Sequence, residues 1–205
     1  MLKKVNVLYF FILILLISIF IGCDSAEVVT IEWIEEDGWL HFYTNDSNFN
    51  INDKNNYGYS EYLYEQIDNP MTSRAGLIKK ISGNPYTGYG IYFCYNDEDN
   101  FYILWINTKG EYMIGQCVQG NRVIIDLGGE SENLKKGFGV ENKLEVKKKE
   151  GEYTFEIYFN DEKEKDLFNS SFIGGKFGFF VYVGDSSQES FPAVPEEVFA
   201  KEVTP

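Results

Sequence analysis

From Val28 onward, apolar and polar positions alternate in short runs and do not recur every three or four residues. Aromatic and β-branched stretches of strand length are broken by Gly, Asn, Asp and Ser at spacings of about ten, the pattern of an antiparallel sandwich or barrel. It predicts strands over 28–34, 39–43, 59–67, 76–81, 88–95, 101–106, 112–118, 122–126, 143–149, 153–159, 163–168, 176–183 and 198–203. The segment 45–56, rich in Asn and Asp, reads as a long loop. The segment 185–197, with Pro192 and Pro195, reads as a connector to a last strand. No internal repeat and no compositional break divides this region, so 28–205 is expected to form one all-β domain.

The middle of the chain specifies its own register. Asn107-Thr108-Lys109-Gly110 suits a type I turn whose glycine takes φ > 0, which pairs Asn107 with Glu111. Ile106 then faces Tyr112 and Leu104 faces Ile114, with Tyr102 on the same side. The other side carries Ile103, Trp105 and Met113, and we expect Phe93 and Tyr95 of the preceding strand to join it. One of these apolar faces must be the inter-sheet core. The second is either covered by another segment or is an exposed aromatic surface. Trp105, Tyr95, Phe93 and Met113 are therefore the candidate ligand-binding residues. Farther on, 143–147 and 154–159 alternate as half-buried strands, and the charged strand after Asn160-Asp161 suits a sheet edge.

The N-terminus has a different character. Met1-Leu2-Lys3-Lys4 is a short positive region, and from Val7 to Ile21 the chain is apolar except for Ser18. That run fits a signal-peptide core and falls short of the ~20 residues needed to span a bilayer. It ends at Phe20-Ile21-Gly22-Cys23, which resembles the lipobox of bacterial lipoproteins, although Phe20 stands where Leu is usual. The resemblance implies a signal peptide over 1–22 and acylation of Cys23, diacylglyceryl and palmitate chains included. It implies a short linker over 23–27 and a domain held at a membrane of the bacterial cell envelope, outside the cytoplasm. An uncleaved N-terminal anchor is the alternative. Removal of the leader takes Lys3 and Lys4 with it, and the resulting acidity is expected to keep the domain off anionic headgroups, the anchor doing the holding.

Composition narrows the chemistry. Hydrophobic residues make up 44% of the 205, charged residues 24% and aromatic residues 17%, as befits a packed, aromatic-rich core. With 32 acidic against 18 basic residues and a net charge of −14, no nucleic-acid partner is expected, since phosphate binding needs a clustered basic surface. The single histidine, His41, stands next to Phe42 and near Trp39 without an evident triad or metal partner and reads as a packed or surface side chain. Cys94 and Cys117 fall on strands that flank a third, too far apart and on opposite faces for a disulfide, so both are expected to be free thiols. Asp97-Glu98-Asp99 is an acidic turn that can contribute oxygen ligands to Ca²⁺, but a solvated hairpin tip is the favoured reading and no cofactor is expected.

One cadence is familiar. Gly88-Tyr89-Gly90-Ile91-Tyr92-Phe93 is followed by Asp97-Glu98-Asp99-Asn100-Phe101-Tyr102 and then Gly110-Glu111-Tyr112-Met113-Ile114-Gly115. Lys136-Gly137, Asn142 to Val146, Tyr158-Phe159-Asn160 and Gly174-Gly175-Lys176-Phe177-Gly178 continue it. This resembles the concanavalin A-like jelly rolls of the lectin/glucanase superfamily, in particular 3-keto-disaccharide hydrolase-like domains and their lipoprotein relatives. The resemblance covers about Gly76 to Val183 and implies a jelly-roll sandwich of two antiparallel sheets. Its shared residues are turn glycines and core aromatics, so it speaks for the fold more than for an activity. The Glu-x-Asp-x-x-Glu strand of the family's glucanases does not occur from Val28 onward. The leading expectation is therefore a non-catalytic module that binds a glycan or an envelope or surface polymer. A glycosidase-like enzyme of keto-disaccharide hydrolase type and a protein-binding adhesin or structural envelope protein are the alternatives.

Overall fold

The computed structural model describes residues 33–44, 58–68, 70–149, 152–167, 172–184 and 194–205. The expected leader, Cys23, the loop 45–56 and most of the connector 185–197 lie outside the described residues. Thirteen strands follow in order: β1 (Trp33–Glu36), β2 (Trp39–Tyr43), β3 (Gly58–Asp68), β4 (Ser73–Ser82), β5 (Tyr89–Asp97), β6 (Asn100–Ile106) and β7 (Glu111–Val118). Then come β8 (Asn121–Glu130), β9 (Glu141–Lys148), β10 (Phe155–Phe159), β11 (Glu162–Leu167), β12 (Gly175–Val183) and β13 (Glu197–Val203). No helix occurs among the described residues.

The strands form two antiparallel sheets, one of seven in the order β1-β2-β13-β4-β9-β10-β11 and one of six in the order β3-β12-β5-β6-β7-β8. The expected hairpin at Asn107 is present. Asn107 N donates to Glu111 O at 3.0 Å, Gly110 takes φ 82°, and Ile106 and Leu104 face Tyr112 and Ile114. The Asn107 side chain secures the turn by accepting from Lys109 N at 2.9 Å and from Glu111 N at 3.1 Å. The charged β11 is an outer strand, and its lysines and carboxylates discourage further strand addition.

Alternation fills the space between the sheets. Phe42, Ile78, Leu144, Val146 and Phe155 from one sheet meet Ile91, Tyr102, Leu104, Ile114 and Phe179 from the other, all fully buried. Core residues run from Leu40 to Ala200, so the sandwich contains its own core. Cys94 and Cys117 are free and buried, Cys94 in this core and Cys117 on the opposite side of its sheet. Burial pushes the Cys94 thiol up to about 12.

A charged pair lies inside as well. Lys80 Nζ sits 2.6 Å from Glu196 Oε2, and both side chains are fully buried. Lys80 also donates to Asn84 O at 2.7 Å and Thr87 Oγ1 at 2.6 Å, while Asn84 N donates to Glu196 Oε1 at 3.1 Å. Glu196 N in turn donates to Thr44 Oγ1 at 2.7 Å. Burial drives Lys80 down and Glu196 up, each toward its neutral form, and the contact between them opposes both shifts. The cluster ties the end of β2, the β4–β5 loop and the entry to β13 together. Lys80→Met or Glu196→Gln alone should destabilise the domain by about 3–5 kcal/mol in urea unfolding, because each leaves a buried group without its partner. The double change should cost less than the sum, and strict additivity would show that the two groups do not act as a pair.

Candidate functional site

The face of the six-stranded sheet that points away from the core is unusually apolar. Ile103, Trp105 and Met113 lie on it, as their alternation with Tyr102, Leu104 and Ile114 requires. Phe93 does not. It pairs with Tyr102, is fully buried in the inter-sheet core and stacks on the Tyr102 ring at 5.1 Å, which corrects its expected place beside Tyr95. The cause is a bulge. Cys94 takes φ 50°, and the β5–β6 register shifts between Phe93 and Asp97, so two successive side chains point inward and Tyr95 emerges on the outer face beside Tyr92. Gly175 of β12, at φ 144°, lies against the backbone of Cys94 and Tyr95, where a Cβ would come within 2.5 Å of Cys94 C. Asn96 Nδ2 donates to Gly174 O at 3.2 Å and closes the bulge from above.

Tyr92, Tyr95 and Phe101 form one wall of a cleft of about 470 Å³ on this face. Tyr92 meets Phe101 edge to face at 5.2 Å and Tyr95 likewise at 5.5 Å, while Tyr95 and Phe101 are parallel at 5.7 Å. Ile103, Met113, Gly115 and Ile124 line the cleft farther along the sheet. Three charged side chains complete it: Glu61 from β3, Glu98 from the β5–β6 turn and Arg122 from the start of β8. The Arg122 guanidinium lies over the Phe101 ring, 5.8 Å from its centroid.

Desolvation by the aromatic wall is the largest influence on the Glu61 carboxyl and raises its pKa above the ordinary 4.5. The Tyr92 and Tyr95 hydroxyls donate hydrogen bonds to it and pull the other way, Glu98 adds to the rise, and Arg122 opposes it. Glu61 is exposed as a whole residue, so solvent screens part of these effects. The Tyr95 hydroxyl is itself pushed up to about 12, first by burial and then by Glu61. At neutral pH the cleft thus presents acceptors, a fixed cation and ring faces together.

Of the four residues expected to bind ligand, the structure brings Tyr95 and Met113 into the cleft. Trp105 shares the face but packs farther along the strand, its indole against Gly88, and Phe93 is in the core. The acidic turn divides in role: Asp97 Oδ1 accepts from Asp99 N and Asn100 Nδ2, both at 2.9 Å, whereas Glu98 lines the cleft. Among the described residues no three His, Cys, Asp or Glu side chains converge as a metal site. His41 packs on the other sheet, stacked 4.0 Å from Phe199, with Nε2 donating to Glu197 at 3.0 Å. Glu61 and Arg122 were missed by sequence reasoning. The alternation of Tyr62 and Tyr64 marks Glu61 as outward, but the β3–β12 pairing that brings it to Tyr92 joins residues over a hundred positions apart.

No sequence-family model matches the chain, and comparison with curated proteins finds no match. Solved structures do resemble it. The carbohydrate-binding module CBM66 from Bacillus subtilis is 17% identical with a TM-score of 0.60, covering 86% of this chain and 93% of its own. A Bacillus licheniformis β-glucanase is 10% identical with a TM-score of 0.51, covering 80% and 77%. A native glycosidic hydrolase is 10% identical with a TM-score of 0.52, covering 83% and 78%. The fold is therefore the concanavalin A-like jelly roll.

The electrostatics of the cleft are open to a direct check by carboxyl-carbon NMR titration. Tyr95→Phe removes a donor and should raise the Glu61 pKa further, whereas Glu98→Gln removes a like charge and should lower it. No change in either variant would place the carboxyl in bulk solvent.

Proposed function

We propose that this chain is a carbohydrate-binding lipoprotein whose ligand lies in the outer-face cleft of the six-stranded sheet. The observation that carries the reading is the wall of Tyr92, Tyr95 and Phe101 joined to Glu61 and Arg122. A sugar ring presents an apolar C–H face and a rim of hydroxyl groups. Aromatic faces match the first, while a carboxylate acceptor and a guanidinium donor match the second. The similarity in fold to a carbohydrate-binding module and to glycoside hydrolases supports a sugar as the ligand class. Binding without turnover is the simpler reading, since the chain from Val28 onward has no Glu-x-Asp-x-x-Glu strand to pair nucleophile and acid.

A second reading, hydrolysis, is favoured by one observation: Glu61 and Glu98 share the cleft, and the Glu98 charge adds to the rise of the Glu61 carboxyl. Acid–base chemistry on a glycosidic bond uses two carboxyl groups facing one cleft, one of them raised.

A glycan array with the domain beginning at Asp24, followed by calorimetry on the best oligosaccharide, tests both. Tyr95→Ala and Arg122→Ala should each weaken binding by about tenfold or more, and Trp105→Ala by less. Binding insensitive to both changes would remove the cleft from consideration. Cleavage of the bound oligosaccharide that disappears in Glu61→Gln would establish the hydrolase.

The anchor has its own test. In a bacterial host, the full chain should take up labelled palmitate and partition with membranes, and Cys23→Ser should lose the label. Label retained in Cys23→Ser would reject this acylation site.

A further inference from the structure

The cleft holds charges of both signs, and they do not neutralise each other. Glu61 and Arg122 start from β3 and β8, the two outer strands of the sheet, and reach over the strands between. Glu61 arrives at the Tyr92 and Tyr95 hydroxyls of β5, which donate to it. Arg122 arrives at Phe101 of β6, its guanidinium 5.8 Å over the ring. Each charged group thus has an aromatic support of its own, on neighbouring strands whose backbones lie ~4.8 Å apart. Arg122 is near enough to oppose the rise of the Glu61 carboxyl, yet among the described residues no ion pair joins it to Glu61 or to Glu98. The acidic turn does not take it either: Asp97 accepts from Asp99 N and Asn100 Nδ2, and Asp99 stands against Gly120 of the β7–β8 turn. Lys176 is across from Tyr95 in the β5–β12 register, and among the described residues it makes no ion pair with Glu61.

We infer that the cleft selects a zwitterionic sugar, a glycan unit that carries an ammonium and an acidic group together, with the amine at Glu61 and Glu98 and the acidic group at Arg122. The inference rests on the proposed sugar-binding role of the cleft and names the ligand's charge. A neutral sugar needs only donors and acceptors, which hydroxyl and amide groups supply without holding an unpaired carboxylate and guanidinium in one cleft. Opposite charges free to meet would pair. Here packing on separate rings keeps them apart, so each retains its bonding capacity for a ligand. A guanidinium stacked on a ring presents a flat fork that matches a carboxylate or phosphate two bonds at a time. A carboxylate beside ring faces suits an ammonium, which the rings attract as well. A ligand of one sign satisfies one end of the cleft and is repelled by the other. Two carboxylates against one guanidinium fix the polarity, placing the amine on the β3 side and the acid on the β8 side.

A matched set of pyranoses tests this, titrated into the domain from Asp24 at about pH 6.5, where sugar amines are protonated and carboxylates ionised. Glucose carries no charge, glucosamine the amine, N-acetylmuramic acid the carboxylate and muramic acid both. Methyl NMR signals of Met113 and Ile124, which line the cleft, read each dissociation constant. Muramic acid should bind about tenfold or more tighter than each of the other three. Glu61→Gln should bring its advantage over N-acetylmuramic acid toward parity and keep its advantage over glucosamine. Arg122→Gln should do the reverse. A merely structural role for either residue would weaken all four ligands together and would not give this crossed pattern. Glucose, glucosamine or N-acetylmuramic acid binding as tightly as muramic acid overturns the inference and leaves the sugar-binding reading in place. So does an equal loss for all ligands in both variants. Silence toward all four overturns it too: a glycan array that still shows a ligand then keeps the sugar reading, and a blank array removes both.

Discussion

A β-strand offers only two faces, and once burial claims one of them the other is all that remains for function. Both sheets obey this constraint: Phe42, Ile78 and Leu144 commit one, Ile91, Leu104 and Ile114 the other. The cleft departs from it at a single point. Without the bulge at Cys94, strict alternation would put Tyr95 in the core and leave Tyr92 alone on the outer face. The inserted residue sends Cys94 inward and Tyr95 outward, and two hydroxyl groups converge on Glu61. The positive φ of Cys94 is held where Gly175 leaves room for its backbone and the Asn96 side chain donates to Gly174 O, so site and scaffold depend on the same residues.

The fold was highly legible. Period-two patterning, turn residues and the Asn107–Gly110 hairpin placed β2 to β13 and the register of the central pair, because these signals are local; of the first expected strand, 28–34, only Trp33 and Ile34 lie among the described residues. The site was legible only in part. Which face of β6 and β7 carries Trp105 and Met113 follows from alternation, but alternation cannot see a bulge, and so Phe93 was assigned to the wrong side. Glu61 and Arg122 come from β3 and β8, the two outer strands of one sheet, and line the same cleft across the strands between them. That arrangement depends on long-range strand order, which no local pattern encodes.

The two carboxyl groups with raised pKa values illustrate different uses of burial. Glu196 is surrounded by Lys80, Asn84 and Thr87, which satisfy its oxygens and make it part of the framework. Glu61 faces rings on one side and open solvent on the other. Its pKa is higher folded than unfolded, so the native domain binds the proton more tightly, and stability falls as pH rises between the two values.

The position of β13 has a consequence for how the protein is made. This last strand is bonded on both sides, to β2 and to β4, in the middle of the seven-stranded sheet. Until residues 197–203 arrive, β2 and β4 have no neighbour in common and the Lys80 ammonium has no Glu196. Closure of the seven-stranded sheet therefore waits on a pairing between residues more than a hundred and fifty positions apart, Phe42 of β2 with Val198 of β13, a long-range step that local strand formation cannot replace.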